Sequence, residues 1–163
     1  MKRVPYGKPL PSLGKGLCLV RETEITYVGE PVSAPRIRSS RDVADFARKI
    51  IPDGPRERLV VLFLDTKNQL TGWYGFTGGL AAVAVTPSDC FRAVVLANAS
   101  SIVMVHNHPS GDTTPSVDDV ALTKRMQKAG KLLEVPLLDH VIIGGDSYFS
   151  FLDAGMLNQG SES

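Results

Sequence analysis

Val105-His106-Asn107-His108-Pro109-Ser110-Gly111-Asp112-Thr113-Thr114-Pro115-Ser116-Val117-Asp118-Asp119 joins a short apolar run to a long periodic one, and its reading decides the fold. Upstream, Ser101 to Val105 has the continuous apolar pattern of a strand. Downstream, Val117 to Leu133 reads as a helix, with Leu122, Met126, Ala129 and Leu133 at steps of four, three and four. Leu137 to Ile143 is apolar and strand-like again. Strand, tight Pro/Gly loop, helix and strand in that order make a β-α-β unit, so the chain is expected to build a sheet with helices packed on it.

Working outward, the same alternation continues. Ser39 to Ile51 reads as a helix, with capping-box spacing between Ser39 and Asp42 and with Val43, Phe46 and Ile50 on one face. Leu59 to Leu64 is a fully apolar run, the pattern of a strand covered on both faces. Asp65-Thr66-Lys67-Asn68 supplies a turn, and Gln69 to Phe76 returns as a second strand. Thr86, Pro87 and Asp89 open another helix, which ends near Asn98. Gly144-Gly145-Asp146 turns the chain into a last strand, Tyr148 to Leu152. Leu17 to Gly29 reads as a strand or a bent pair of strands. The order β, α, β, β, α, β, α, β, β predicts an α/β fold, a three-layer α/β/α sandwich on a mixed sheet. One domain over residues 17–157 is expected, after a flexible arm over 1–16 and before a frayed tail over 158–163.

Bulk properties narrow the function classes. The chain has 163 residues, 43% hydrophobic and 21% charged, an ordinary globular balance. Its formal net charge of +1, from 18 Lys and Arg against 17 Asp and Glu, lacks the basic footprint of a nucleic-acid-binding domain. No apolar run is long enough to span a membrane, and the Pro/Gly-rich N-terminus has no secretory pattern, so a cytoplasmic location is expected. Cys18 and Cys90 match no ligand or redox spacing and read as reduced, partly buried thiols, with a disulfide between them left open.

The opening segment also carries chemistry. His106 and His108 stand at i and i+2 where an apolar strand ends, so on extended backbone both imidazoles face one side. The loop then delivers Ser116 and Asp119, three apart, to the first turn of a helix and to one face of it. Two imidazoles and a carboxylate are a zinc ligand set with a fourth position left for water, the mark of a catalytic site. Water there has its pKa lowered to about 7. A general base is needed beside it, and Glu57, at the start of an apolar strand, is the candidate. Each piece also has a plainer reading. Ser116 and Asp119 alone form a capping box, His-x-His alone fits an exposed turn, and Arg56-Glu57-Arg58 fits a solvated strand end.

His-x-His-Pro followed by Ser-x-x-Asp, with an upstream Glu, resembles the JAMM motif of MPN-domain metallopeptidases. The segment His106 to Asp112, then Pro115-Ser116, is similar to the bacterial RadC proteins. So are Leu62 to Asn68, Ala97-Asn98-Ala99 and Leu138 to Gly144, and the resemblance covers Arg41 to Leu157. It implies a cytidine-deaminase-like sandwich, a zinc ion on His106, His108 and Asp119, Glu57 as the catalytic glutamate, and Ser116 as support for the oxyanion. It also implies hydrolysis of a peptide or isopeptide bond, with a peptide or protein as substrate. Full-length RadC proteins carry an N-terminal helix-hairpin-helix region, in place of which this sequence has a short arm and one strand-helix segment.

Two other functions are consistent with the same residues: nucleic-acid processing on the same metal, which the net charge does not support, and a non-catalytic binding module. His140 is read first as a structural histidine and second as a partner of the metal ligands. Trp73 and Tyr74 are expected to pack, Arg36, Arg38 and Arg41 to form a solvated face, and Gly78-Gly79 to form a turn.

Overall fold

The computed structural model describes residues 35–52, 54–77 and 85–157. The expected arm, the strand over 17–29, Cys18, Gly78-Gly79 and the tail lie outside them. The elements are α1 (Ser40–Ile50), β1 (Arg58–Leu64), β2 (Leu70–Thr77), α2 (Pro87–Leu96), β3 (Ser101–Asn107), α3 (Val117–Leu132), β4 (Leu137–Gly144) and β5 (Ser147–Ser150). From α1 onward this is the expected order. All three helices begin at the capping residues read from the sequence: Ser39, Thr86 and Ser116 each accept from the backbone N–H three residues on.

The five strands form one mixed sheet in the order β2-β1-β3-β4-β5. β1 pairs antiparallel with β2 and β3, β3 parallel with β4, and β4 antiparallel with β5. Because side chains alternate along a strand, each central strand feeds two cores. Leu59, Val61, Phe63, Ile102, Met104 and Ile142 point to one face, where they meet Phe91 and Val94 of α2 and Leu122 and Met126 of α3. Val60, Leu62, Leu64, Val103, Val105, Val141 and Ile143 point to the other, where α1 lays down Val43, Ala44 and Ala47. Helices on both faces give the three layers, and continuous apolar runs in β1 and β3 are what a doubly covered strand needs.

Trp73 and Tyr74 depart from expectation. They are 49% and 46% exposed: among the described residues β2 is an edge strand, and neither side chain belongs to a core cluster. Arg36, Arg38 and Arg41 are exposed, as expected of a solvated face. Cys90 is a free, fully buried thiol, and burial pushes its pKa up to about 12, with the Asp89 charge adding to the effect. Among the described residues no helix is long and apolar enough to cross a membrane.

Candidate metal centre

The strand β3 runs two residues past Val105, so His106 and Asn107 still belong to the ladder. His106 pairs with Leu59 of β1 and with Ile142 of β4. It continues the alternation of Ile102 and Met104 and so points toward the α2/α3 layer, where it is fully buried. His108 lies just past the strand and is half-buried. Its backbone N–H still donates to Ile143 O at 2.8 Å, which extends the pairing with β4 by one step. Asp119 enters from that α2/α3 layer, on the buried face of the first turn of α3.

The three side chains meet. His106 Nε2 lies 2.9 Å from His108 Nε2 and 3.1 Å from Asp119 Oδ1, and His108 Nε2 lies 3.5 Å from Asp119 Oδ2. One ligand-type atom from each residue falls within 4.8 Å of the others. Asp119 Oδ2 accepts from the Ser116 backbone N–H at 2.7 Å and from its hydroxyl at 2.6 Å. Asp119 Oδ1 is buried and receives no hydrogen bond. Burial works against ionisation of this carboxyl, and the Ser116 N–H and hydroxyl, which both donate to Oδ2, favour the charged form.

Proton accounting shows what the cluster lacks. His108 Nδ1 sits 2.6 Å from the carbonyl of Asp112, which can only accept. Nδ1 therefore carries the hydrogen, and in the neutral ring Nε2 presents a lone pair. A bare imidazole nitrogen facing a buried carboxylate oxygen with no donor of its own is a set of acceptors turned toward one point. Such a set is stable around a cation, and two imidazoles with one carboxylate fit a divalent transition metal.

The loop that carries His108 is held tightly. Asp112 takes the Thr114 N–H at 2.9 Å, and the Gly111 N–H returns to His108 O at 3.0 Å. Gly144, at the end of β4, lets this loop approach: a Cβ there would stand 2.6 Å from Gly111 O and 2.9 Å from Thr113 Cγ2. Gly144→Ala is therefore expected to displace the loop at a cost of about 1–3 kcal/mol. Any metal held by the His-His-Asp cluster should bind more weakly as well, the two effects being checked by urea unfolding and by titration with divalent metal ions. Unchanged values would show that the loop is not seated by this contact.

Glu57 stands one residue before β1, half-buried. The register that pairs Leu59 with His106 brings this strand end beside the cluster. The peptide groups on both sides of Glu57 are clamped by one side chain. Asn107 Oδ1 accepts from Arg58 N at 2.8 Å, and Asn107 Nδ2 donates to Arg56 O at 3.2 Å. Asn107, between the two histidines, has a positional task that the sequence pattern alone did not reveal. Ser116 serves the cap and Asp119 in this geometry, its hydroxyl hydrogen spent on Oδ2.

His140, expected first as a structural histidine, is fully buried against the cluster. Its Nε2 lies 2.9 Å from His106 Nδ1, and its Nδ1 lies 2.6 Å from Thr123 Oγ1. Its ring stacks on Phe151 at 4.9 Å and 10°. Burial drives its pKa well below the ordinary histidine value. The sequence offered this place for His140 as a second reading, and Thr123, one helical turn from Asp119, carried no signal of its own.

A family model described as a RadC-like JAB domain matches residues 37–156, which span every element above. The chain belongs to the RadC-like JAB domain family. Its curated relatives are called UPF0758 proteins. One from Chlorobaculum tepidum is 45% identical over 75% of this chain and 55% of its own length. One from Methanosarcina mazei is 38% identical over 85% of this chain and 60% of its own length, and one from Desulfitobacterium hafniense is 37% identical over 78% and 57%. The chain thus spans somewhat more than half the length of the curated relatives it matches. The RadC-like domain is what is shared, and the three-layer sandwich with its His-His-Asp cluster lies wholly within the matched region.

Proposed function

We propose that this domain is a zinc-dependent hydrolase that cleaves a peptide or isopeptide bond. The observation that carries the reading is the convergence of His106 Nε2, His108 Nε2 and a buried Asp119 oxygen that has no hydrogen-bond donor. These three residues would hold the ion and leave a position open for solvent and substrate. When bound, zinc supplies a Lewis acid and lowers the pKa of its water to about 7.

The remaining work falls to the chain's own groups. Glu57 is the general base: its carboxylate takes the proton of the attacking water and passes it to the departing nitrogen. Two observations support this role: strand alternation, if carried back two residues from Leu59, would turn position 57 to the face that His106 shares, and Asn107 holds the backbone on both sides of it. Ser116 can turn its hydroxyl from Asp119 to a substrate oxygen that gains negative charge, which lowers the barrier. A cleft of about 550 Å³ opens beside His108 on the α1 side of the sheet, lined by Arg48, Ile51, Pro52, Asn107, Ile143 and Asp146 among the described residues.

The test is to incubate the zinc-loaded chain with a peptide library, isopeptide-linked conjugates and labelled single- and double-stranded DNA. Cleavage of an amide bond that stops on chelation and returns with zinc is expected, with the DNA intact. DNA scission without amide cleavage would overturn this reading in favour of nucleic-acid processing. No turnover of any substrate by fully zinc-occupied protein would leave a binding module instead.

A further inference from the structure

We propose that Thr123 and His140 are positioning residues that hold His106 in the tautomer with its hydrogen on Nδ1, so that Nε2 faces the cation bare, and that the backbone of Asp119 starts this relay. The inference rests on the metal reading of the site and adds a set of residues behind the ligands.

One contact in this chain has a known direction. The Asp119 carbonyl can only accept, and Thr123 Oγ1 lies 2.6 Å from it. The single hydroxyl hydrogen of Thr123 is spent there, a bond from one helical turn to the preceding one. Thr123 Oγ1 can then only accept from His140 Nδ1, also at 2.6 Å. His140 therefore carries its hydrogen on Nδ1, and its neutral ring leaves Nε2 bare. His106 Nδ1, 2.9 Å away, is the donor to that nitrogen. The one hydrogen of a neutral His106 is thereby placed, and Nε2 turns a lone pair toward Asp119 Oδ1 and His108 Nε2. The reverse direction would set the Thr123 oxygen 2.6 Å from a carbonyl oxygen with no hydrogen between them.

The fold supplies each spacing. Asp119 and Thr123 are four apart on the buried face of α3. In the parallel β3–β4 pair Met104 stands opposite His140, so His140 is one alternation below His106 on the same face. Phe151 fixes the ring plane. Asp119 thus enters the site twice, as ligand through its carboxylate and as orienting group through its carbonyl. Seating of the first turn of α3 and preparation of His106 become a single event. His108 has an independent lock in Asp112 O, so each imidazole ligand has its own carbonyl origin.

The test uses the full chain with 15N-labelled imidazoles, zinc as the probe, and the variants Thr123→Val and Thr123→Ser. Long-range 1H–15N spectra are expected to show His140 and His106 protonated on Nδ1 in the zinc-loaded protein, and His140 protonated on Nδ1 in the zinc-free protein too. Thr123→Val should bind zinc about 10–100-fold more weakly and populate the Nε2–H form of His106, with Thr123→Ser restoring both. A His140 hydrogen on Nε2 in the wild-type chain overturns the inference, whether or not zinc binds. So does Thr123→Val with wild-type zinc affinity. Failure of the wild-type chain to bind zinc defeats the metal reading separately, since the ring tautomers of the zinc-free chain still decide the relay.

Discussion

Glu57→Gln is expected to leave one zinc per chain and to reduce amide hydrolysis by about 10²–10⁴-fold. The substitution is nearly isosteric and removes the one property a general base requires, the capacity to take a proton. Glu57 is not among the three donors that converge at the site, so metal content should hold. Its backbone is tied through Asn107 on both sides, and the half-buried position should keep its shape. Elemental analysis and a peptide-cleavage assay on the same preparation separate the possibilities. Loss of zinc would make Glu57 a ligand, and unchanged turnover would remove it from the chemistry.

Asp119→Ala should have the largest effect on the metal. Zinc held by four ligands in small structural sites is worth about 10–16 kcal/mol, roughly 3 kcal/mol per ligand, so losing one should weaken affinity by at least about 10²-fold. The same change should destabilise the zinc-free protein. The Ser116 N–H and hydroxyl lose their acceptor, and the first turn of α3 loses half of its capping box, together about 1–2 kcal/mol. Asp119→Asn tells the two roles apart: an amide oxygen can still accept from Ser116, so stability should recover in part while zinc affinity stays low. Urea unfolding and competition with a zinc chelator read the two quantities. If Asp119→Ala bound zinc as the wild type does, the carboxylate would belong to the cap alone.

Much of this was legible in the sequence because local rules and tertiary structure agree here. The apolar run of β1 predicted burial on both faces, and Ser39, Thr86 and Ser116 marked the helix starts that are observed. The conjunction of strand end, paired histidines and Ser-x-x-Asp was readable because strand periodicity puts His106 and His108 on one side and helix periodicity puts Ser116 and Asp119 on one face. The parts that escaped depend on register between distant segments. His140 reaches His106 only because β4 pairs with β3 at Met104, and nothing local to His140 encodes that pairing. Thr123 passes for an ordinary helix residue until the His140 ring is placed above it. Asn107 resembles a loop amide until β1 lies beside it. Trp73 and Tyr74 were misjudged for the same reason, since a place on an edge strand of the described sheet is a property of the sheet and not of the pattern.

The most direct trial of the account is anomalous diffraction at the zinc edge from crystals of the chain grown with zinc. A single strong peak is expected at about 2.0–2.2 Å from a ring nitrogen of His106, a ring nitrogen of His108 and an Asp119 carboxylate oxygen. A peak elsewhere, or none at full zinc saturation, would contradict the claim that these three side chains form a metal site.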